Sequence, residues 1–371
     1  MSPDWRRIRA EFPVLEAWTF LNTATYGQMP RRGVEAVASH FARRDALACA
    51  DFLEWYDDAD RIRASIGRLV NCAPAGIAFI PNASAALSLF LGGIEWRKGD
   101  RVVTLEHDFP NQYYFPGHLR HRGVEFVETP RASFREAIHE RTRAVVLSSV
   151  SYSTGARAPL EEIAPFLRER GVPLYIDGTQ SVGALRFDVG ALRPEMLAVH
   201  GYKWLLAPNG AGFMYVSPEL RERLEPNVIG WRSHKDWRNP DNLHHGTPEF
   251  KTEAERYEGG GLVFPSIYAM GASVDMLLEI GPEAVEGRVL DLAAQTRAVL
   301  RRAGGEVSEG DSQIVTANFE GRDAAAMAAA LRTHRVLVAA RRGNLRVSPH
   351  LYNNEEDLER LEQALRDVSG S

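Results

Sequence analysis

The chain has 371 residues, 44% hydrophobic and 25% charged, with a formal net charge of −5 at pH 7. That is material for a large core and two lobes, and the absence of a basic stripe sets nucleic-acid partners aside. No run approaches the roughly 18 apolar residues of a membrane span, and Cys49 and Cys72 form neither a metal-spaced pair nor a disulfide framework, so a cytoplasmic protein with no membrane partner is expected.

In chain order, Met1 to Arg7 lead into no apolar stretch of the kind a secretory signal carries. Residues 33–70 read as helical. Short apolar strands then alternate with helical patterns, at 77–80, 101–105, 124–127, 144–148, 173–177, 196–199 and 212–216, with one helix over 160–170. This alternation predicts an α/β domain whose mainly parallel sheet is flanked by helices and buried on both faces. Between 224 and 261 the pattern dissolves into a polar stretch bearing His, Trp, Gly and Pro. We expect a long loop there, covering a site or reaching another subunit. Beyond Pro265 helices dominate. Residues 312–319 and 336–347 supply strands to a smaller α+β domain, and a last helix over 354–368 carries Glu355 and Glu356 in its first turn, as the helix dipole favours.

Only four of the 44 basic residues are lysines, and one of them, Lys203, follows the apolar strand 196–199 in His200-Gly201-Tyr202-Lys203-Trp204. A lysine amine can lose its proton and condense with an aldehyde, which arginine cannot do. Asp177 ends the strand 173–177 in the same way, within Asp177-Gly178-Thr179-Gln180. An amine and a carboxylate at neighbouring strand ends suit pyridoxal phosphate, because a buried carboxylate keeps a pyridine nitrogen protonated. Taken alone, Asp177 also fits a turn residue capping the next helix, and Lys203 a solvated lysine.

Weaker signals surround this pair. Ser84, in Pro81-Asn82-Ala83-Ser84, is placed to cap a helix whose free N–H groups would face an anion, or simply to cap it. Phe109 follows the strand 101–105 and can stack on a flat ring, with His107 as its rival. Gln180 can donate to a ring phenolate. Arg346 ends a strand of the smaller domain and suits a carboxylate, with Arg341 and Arg342 as competitors. His244 and His245 have no third ligand at metal spacing and read as a solvated loop pair or a pocket histidine. No dinucleotide fingerprint, Walker-type loop, zinc-protease motif or nucleophile elbow is present.

In order and separation, Tyr175-Ile176-Asp177-Gly178-Thr179-Gln180 and His200-Gly201-Tyr202-Lys203-Trp204 resemble the class V aminotransferase family of fold-type I pyridoxal phosphate enzymes. That family includes cysteine desulfurases, selenocysteine lyases, isopenicillin-epimerase-like enzymes and kynureninases. The likeness spans nearly the whole chain, from Phe20-Leu21-Asn22-Thr23-Ala24-Thr25 to Arg346-Val347-Ser348-Pro349-His350. It implies a segment over 1–20 packing with the small domain, a large cofactor domain over 21–261 and a small domain over 262–371.

The resemblance makes Lys203 the Schiff-base residue and Asp177 the partner of the ring nitrogen. It brings Gln180 to the ring hydroxyl and assigns Ala83, Ser84, His200 and Tyr202 to the phosphate. Phe109 would stack on the ring and Tyr152 would lie beside it. Arg346, with Asn22 nearby, would hold the α-carboxylate of a small amino-acid substrate. It also implies a homodimer with shared sites, in which Gly261 reaches the other copy's phosphate through its N–H. Two departures stand out. The segment Val338-Ala339-Ala340-Arg341-Arg342-Gly343 has no cysteine where desulfurases carry one. Tyr152 replaces an asparagine, which leans toward the epimerase-like and kynureninase-like branch. The expectation is therefore an aminotransferase, or a related lyase or epimerase, and not a cysteine desulfurase with a catalytic cysteine. A low-turnover pyridoxal phosphate-binding sensor is the alternative outside enzymes.

Overall fold

The computed structural model describes residues 3–239, 247 and 249–369. The pair His244 and His245 lies outside the described residues. Seven strands form the central sheet: β1 (Ile77–Ile80), β2 (Arg101–Leu105), β3 (Glu125–Thr129), β4 (Thr142–Ser148), β5 (Leu174–Asp177), β6 (Met196–His200) and β7 (Gly212–Val216). Their order is β1-β7-β6-β5-β4-β2-β3. β7 runs antiparallel to both neighbours, and the other paired strands are parallel. β3 runs two residues further than its apolar pattern suggested. It is the edge strand, so Glu125 and Glu128 tolerate exposed positions that interrupt the apolar signal.

Alternation of side chains along each strand divides the apolar residues between two cores. Ile77, Val145, Ile176 and Val199 belong to one face, and Ala78, Val146, Tyr175 and Ala198 to the other. The central strands are apolar at almost every position because both faces are covered. Each buried branched aliphatic contributes about 1.5–3 kcal/mol relative to exposure.

The smaller domain holds an antiparallel sheet of β8 (Glu306–Val307), β9 (Val315–Asn318), β10 (Ala339–Arg341) and β11 (Asn344–Val347), ordered β10-β11-β9-β8. Its core includes Leu292, Leu300, Val315, Leu345 and Leu361. Arg342 and Gly343, with φ of 49° and 78°, join β10 to β11 in a two-residue turn. The N-terminal segment docks on this domain: Thr19–Phe20 pair in parallel with Val336–Leu337, and Arg9 donates to Asp357 at 2.8 Å. The helix Phe264–Ile280 falls on the other side of the expected boundary. It packs against the helices Arg31–Leu47 and Phe52–Leu69, because Ile267, Met270 and Val274 complete the core of the large domain.

The described residues of 225–261 include short turns at Trp231–Ser233 and Ala254–Tyr257. A buried ionic cluster ties it down. Glu258 accepts from Arg63 at 2.7 Å, from the β1 amide of Phe79 at 2.8 Å and from Arg232 at 3.0 Å. Arg232 also pairs with Glu255, which pairs with Lys251. Glu258→Ala takes the cluster's most buried carboxylate from two buried guanidiniums, leaving Arg232 with Glu255 and Arg63 with Asp60, and is expected to cost about 3–5 kcal/mol, read as a lowered urea midpoint. A midpoint unchanged from the parent would show that the cluster is not holding the segment.

Candidate active site

A cavity of about 230 Å³ opens at the carboxyl ends of the parallel strands. The chain leaves β2 for the edge at β3, then returns past β2 to β4, and open α/β sheets take ligands at such a reversal. The cavity is lined by Asn82, Ala83, Ser84, Phe109, Asn111, Ser148, Tyr152, Asp177, Thr179, Gln180, His200, Tyr202 and Lys203. Residues from five separate strand ends thus meet although they lie far apart in the sequence.

Lys203 is only 5% exposed. Its Nζ lies 5.5 Å from the Phe109 ring centroid and 5.3 Å from that of Tyr202. Burial lowers its pKa to about 7; Asp177 opposes the shift, while Arg346 and Arg341 reinforce it. The turn carrying this lysine is packed backbone against backbone. Gly27 donates its N–H to the Tyr202 carbonyl at 2.8 Å, and a Cβ on Gly27 would sit 1.9 Å from the Lys203 carbonyl oxygen. His350 meets the Trp204 carbonyl at 2.9 Å.

Asp177 is 6% exposed. Its Oδ1 accepts from the Thr179 amide at 2.9 Å, and its Oδ2 faces Gln112 Nε2 at 3.5 Å. Gln180 lines the cavity, but its amide has other work. Oε1 accepts from Trp204 Nε1 at 2.8 Å and Nε2 donates to the Ala24 carbonyl at 3.1 Å, leaving one Nε2–H for the cavity. Phe109 lines the cavity while His107 is exposed, and the Phe109 ring meets that of Tyr152 edge-on at 5.3 Å.

The helix Ala83–Gly92 is capped by Asn82, whose Oδ1 accepts from Ala85 N at 2.9 Å, and not by Ser84. Ser84 sits two residues too late to cap. Ala83 and Ser84 instead bring to the cavity first-turn N–H groups that have no carbonyl four residues back.

Arg346, Asn22 and Gly261 stand outside the cavity lining. Arg346 is 1% exposed. It donates to the Tyr152 carbonyl at 2.7 Å and to Thr25 Oγ1 at 2.6 Å. Arg341 donates to the same Oγ1 at 3.2 Å. Burial and Arg341 together lower the Arg346 pKa to about 9. Asn22 bridges the backbone of Ser348, and its Oδ1 is buried without a partner. Gly261 is exposed, with nothing near its Cβ position.

Sequence reasoning passed over Thr25, Gln112, Thr179 and Asp108. Asp108 is buried, accepts from Phe109 N and Ser148 N, and has its carboxyl pushed up to about 6 by burial, with Asp177 adding to the effect. Its place in Glu106-His107-Asp108-Phe109 was the available signal. Thr25 and Gln112 act through contacts across the fold that no local pattern announces, and Thr179 braces Asp177 from two residues away.

The residues present fit pyridoxal phosphate. A phosphate needs N–H donors, and the first turn at Ala83–Ser84 supplies them. His200 Nε2 is buried without a partner, and burial, then Lys203, lowers its pKa to about 4, so a neutral imidazole is available as a further donor.

The class-V aminotransferase family model matches residues 52–361. A probable cysteine desulfurase of Methanothermobacter thermautotrophicus is 25% identical, over 98% of this chain and 98% of its own length. Isopenicillin N epimerase of Streptomyces clavuligerus is 27% identical over 99% of each. Among solved structures, a C-DES variant with glycine covalently linked to its PLP cofactor has a TM-score of 0.90 at 21% identity, covering 99% of this chain and 100% of that one. The cystine C-S lyase C-DES with its reaction product cysteine persulfide has a TM-score of 0.89 at 20% identity, covering 96% and 99%.

The desulfurase relative corrects one expectation. Desulfurase chemistry was set aside because Val338–Gly343 lacks a cysteine, yet a probable cysteine desulfurase aligns along the whole chain. The group that accepts sulfur is distinct from the groups that break its bond to carbon, and a missing cysteine bears only on the first. Matched over most of its length and carrying a buried amine and carboxylate at adjoining strand ends, the chain belongs to the class-V aminotransferase family of pyridoxal phosphate enzymes.

Proposed function

We propose that this protein breaks the carbon–sulfur bond of cysteine or cystine with pyridoxal phosphate as cofactor. The observation that carries the reading is the desolvated Lys203 amine facing Asp177 across the cavity, its pKa brought to about 7. The reaction type is supported by relatives named for cysteine desulfuration and cystine C–S cleavage.

Bound in the cavity, pyridoxal phosphate supplies a protonated ring that draws electrons from the substrate α-carbon. Asp177 is assigned to that ring's nitrogen, and its hydrogen bond from Thr179 holds the carboxylate in place. Ala83, Ser84, His200 and Tyr202 are assigned to the phosphate, Phe109 and Tyr152 to the ring, and the remaining Gln180 N–H to the ring hydroxyl. Arg346, with Asn22 beside it, orients the substrate carboxylate. The neutral Lys203 amine takes the α-proton. The Cβ–S electron pair then departs on sulfur, as a persulfide when the substrate is cystine, and water releases the three-carbon remainder as pyruvate and ammonium. The thiol that carries sulfur away can therefore belong to the substrate.

A homodimer is part of this reading. Exposed Tyr26, Tyr114, Ile229 and Val263 provide apolar surface, and Gly261 has a role only beside a second copy. Two unpaired cysteines support a reducing, cytoplasmic setting.

Incubation with cysteine should yield sulfide, and with cystine cysteine persulfide, each together with pyruvate and ammonium. Racemised amino acid with no sulfur released would overturn the proposal and favour the likeness to the epimerase. Lys203→Ala should abolish turnover and the borohydride-fixed pyridoxyl adduct; a surviving adduct elsewhere would displace the assignment. Pyridoxal phosphate uptake by the apoprotein should accelerate as pH rises through about 7 and then flatten, because the amine is neutral above that value. A rate still climbing near pH of about 10, as an ordinary lysine would give, would contradict the burial argument.

A further inference from the structure

We propose that Arg341 holds a second anionic group of the substrate, so that the site selects amino acids bearing two carboxylates, as cystine does, over monoacids. This rests on Arg346 holding the α-carboxylate.

The two guanidiniums are gathered by one hydroxyl, Thr25 Oγ1, at 2.6 Å from Arg346 and 3.2 Å from Arg341. Their other bonds go to carbonyl oxygens, of Tyr152 for Arg346 and of Ala340 for Arg341. Among the described residues, neither pairs with a carboxylate. Most of the other buried cations in this chain do, as Arg63 and Arg232 show. Arg346 is 1% exposed and its Nε is buried with no partner.

Two adjacent cations sharing a neutral acceptor repel each other and lack counter-charge. One α-carboxylate neutralises one of them. The other is left for a second anion, and a flat, bidentate guanidinium suits a carboxylate. Arg341 is the more exposed of the two and ends β10 beside the Arg342–Gly343 turn. It therefore stands on the outer side, where the far end of an extended substrate arrives. Arg342 is exposed, with its guanidinium 6.0 Å from the Tyr152 ring centroid, and does not share the Thr25 contact.

The test compares two ligands that contain no sulfur and cannot be cleaved. L-α-aminosuberate reproduces the chain of cystine with methylenes in place of the disulfide and keeps both carboxylates. L-α-aminooctanoate ends in a methyl group. Calorimetry on the holoprotein should show aminosuberate binding at least about tenfold tighter. Arg341→Gln should reduce that preference to about twofold without weakening aminooctanoate, and Arg341→Lys should keep part of it. Arg346→Gln should weaken both ligands. Equal binding by the parent protein overturns the proposal. So does an Arg341→Gln variant that weakens both ligands alike, which would put the two arginines on one carboxylate. Cystine cleavage assayed in parallel separates the two readings. A diacid preference without cleavage sinks the C–S reading and leaves Arg341 standing, and cleavage without the preference does the reverse.

Discussion

Taking one amine out of water is the constraint on which the site depends. Lys203 is charged in solution at neutral pH, and its burial favours the neutral form that can act as nucleophile and base. Asp177 pulls the other way, while Arg346 and Arg341 add to the burial effect. The balance leaves the amine near the midpoint of its titration at physiological pH, where a proton can be both taken and returned. The same arginines that depress the lysine are the ones suited to an anionic substrate, so binding an acid changes the field felt by the base.

The frame that delivers this balance is the carboxyl edge of the sheet. Strand ends put Phe109, Ser148, Asp177 and Lys203 around one space, and glycines let the backbone close on the lysine turn. Gly183, at φ of 102°, approaches the Trp204 carbonyl so tightly that a Cβ would lie 2.3 Å from its oxygen. Behind the sheet edge, Glu258 links β1 to the turn at Trp231–Ser233. Since β1 leads directly into Asn82–Ser84, that carboxylate also steadies the helix start that lines the cavity.

Much of this was legible in the sequence because it is periodic. Runs such as Leu174-Tyr175-Ile176 and Leu197-Ala198-Val199 announce strands buried on both faces, and the polar residues that follow them line the cavity at the carboxyl edge of the sheet. The edge strand β3 was read short because its outward glutamates look like loop. The helix Phe264–Ile280 was assigned to the wrong lobe, since an apolar helix face does not say which surface it will cover. Ser84 was taken for a cap when Asn82, two residues earlier, already fills that role. Arg341 stood only as a competitor of Arg346, and Thr25 and Gln112 could not be singled out at all. Their importance comes from partners more than sixty residues away in the chain, as the separation between Gln112 and Asp177 illustrates. The missing cysteine was over-read for a different reason: the absence of one side chain limits where sulfur can land, and says nothing about which bond the buried amine can weaken.

The segment from Asn22 to Gly27 lies before the first residue of the family match, at position 52. Yet Ala24 receives Gln180, Thr25 gathers the two arginines, and Gly27 braces the carbonyl side of Tyr202. This strip is a floor laid under the Lys203 turn by a part of the chain that carries no reactive group of its own. A fragment trimmed to the matched span would retain every residue assigned to the cofactor while losing the surface on which they rest. Sequence changes in that strip would then tune reactivity from outside the conventional borders of the domain.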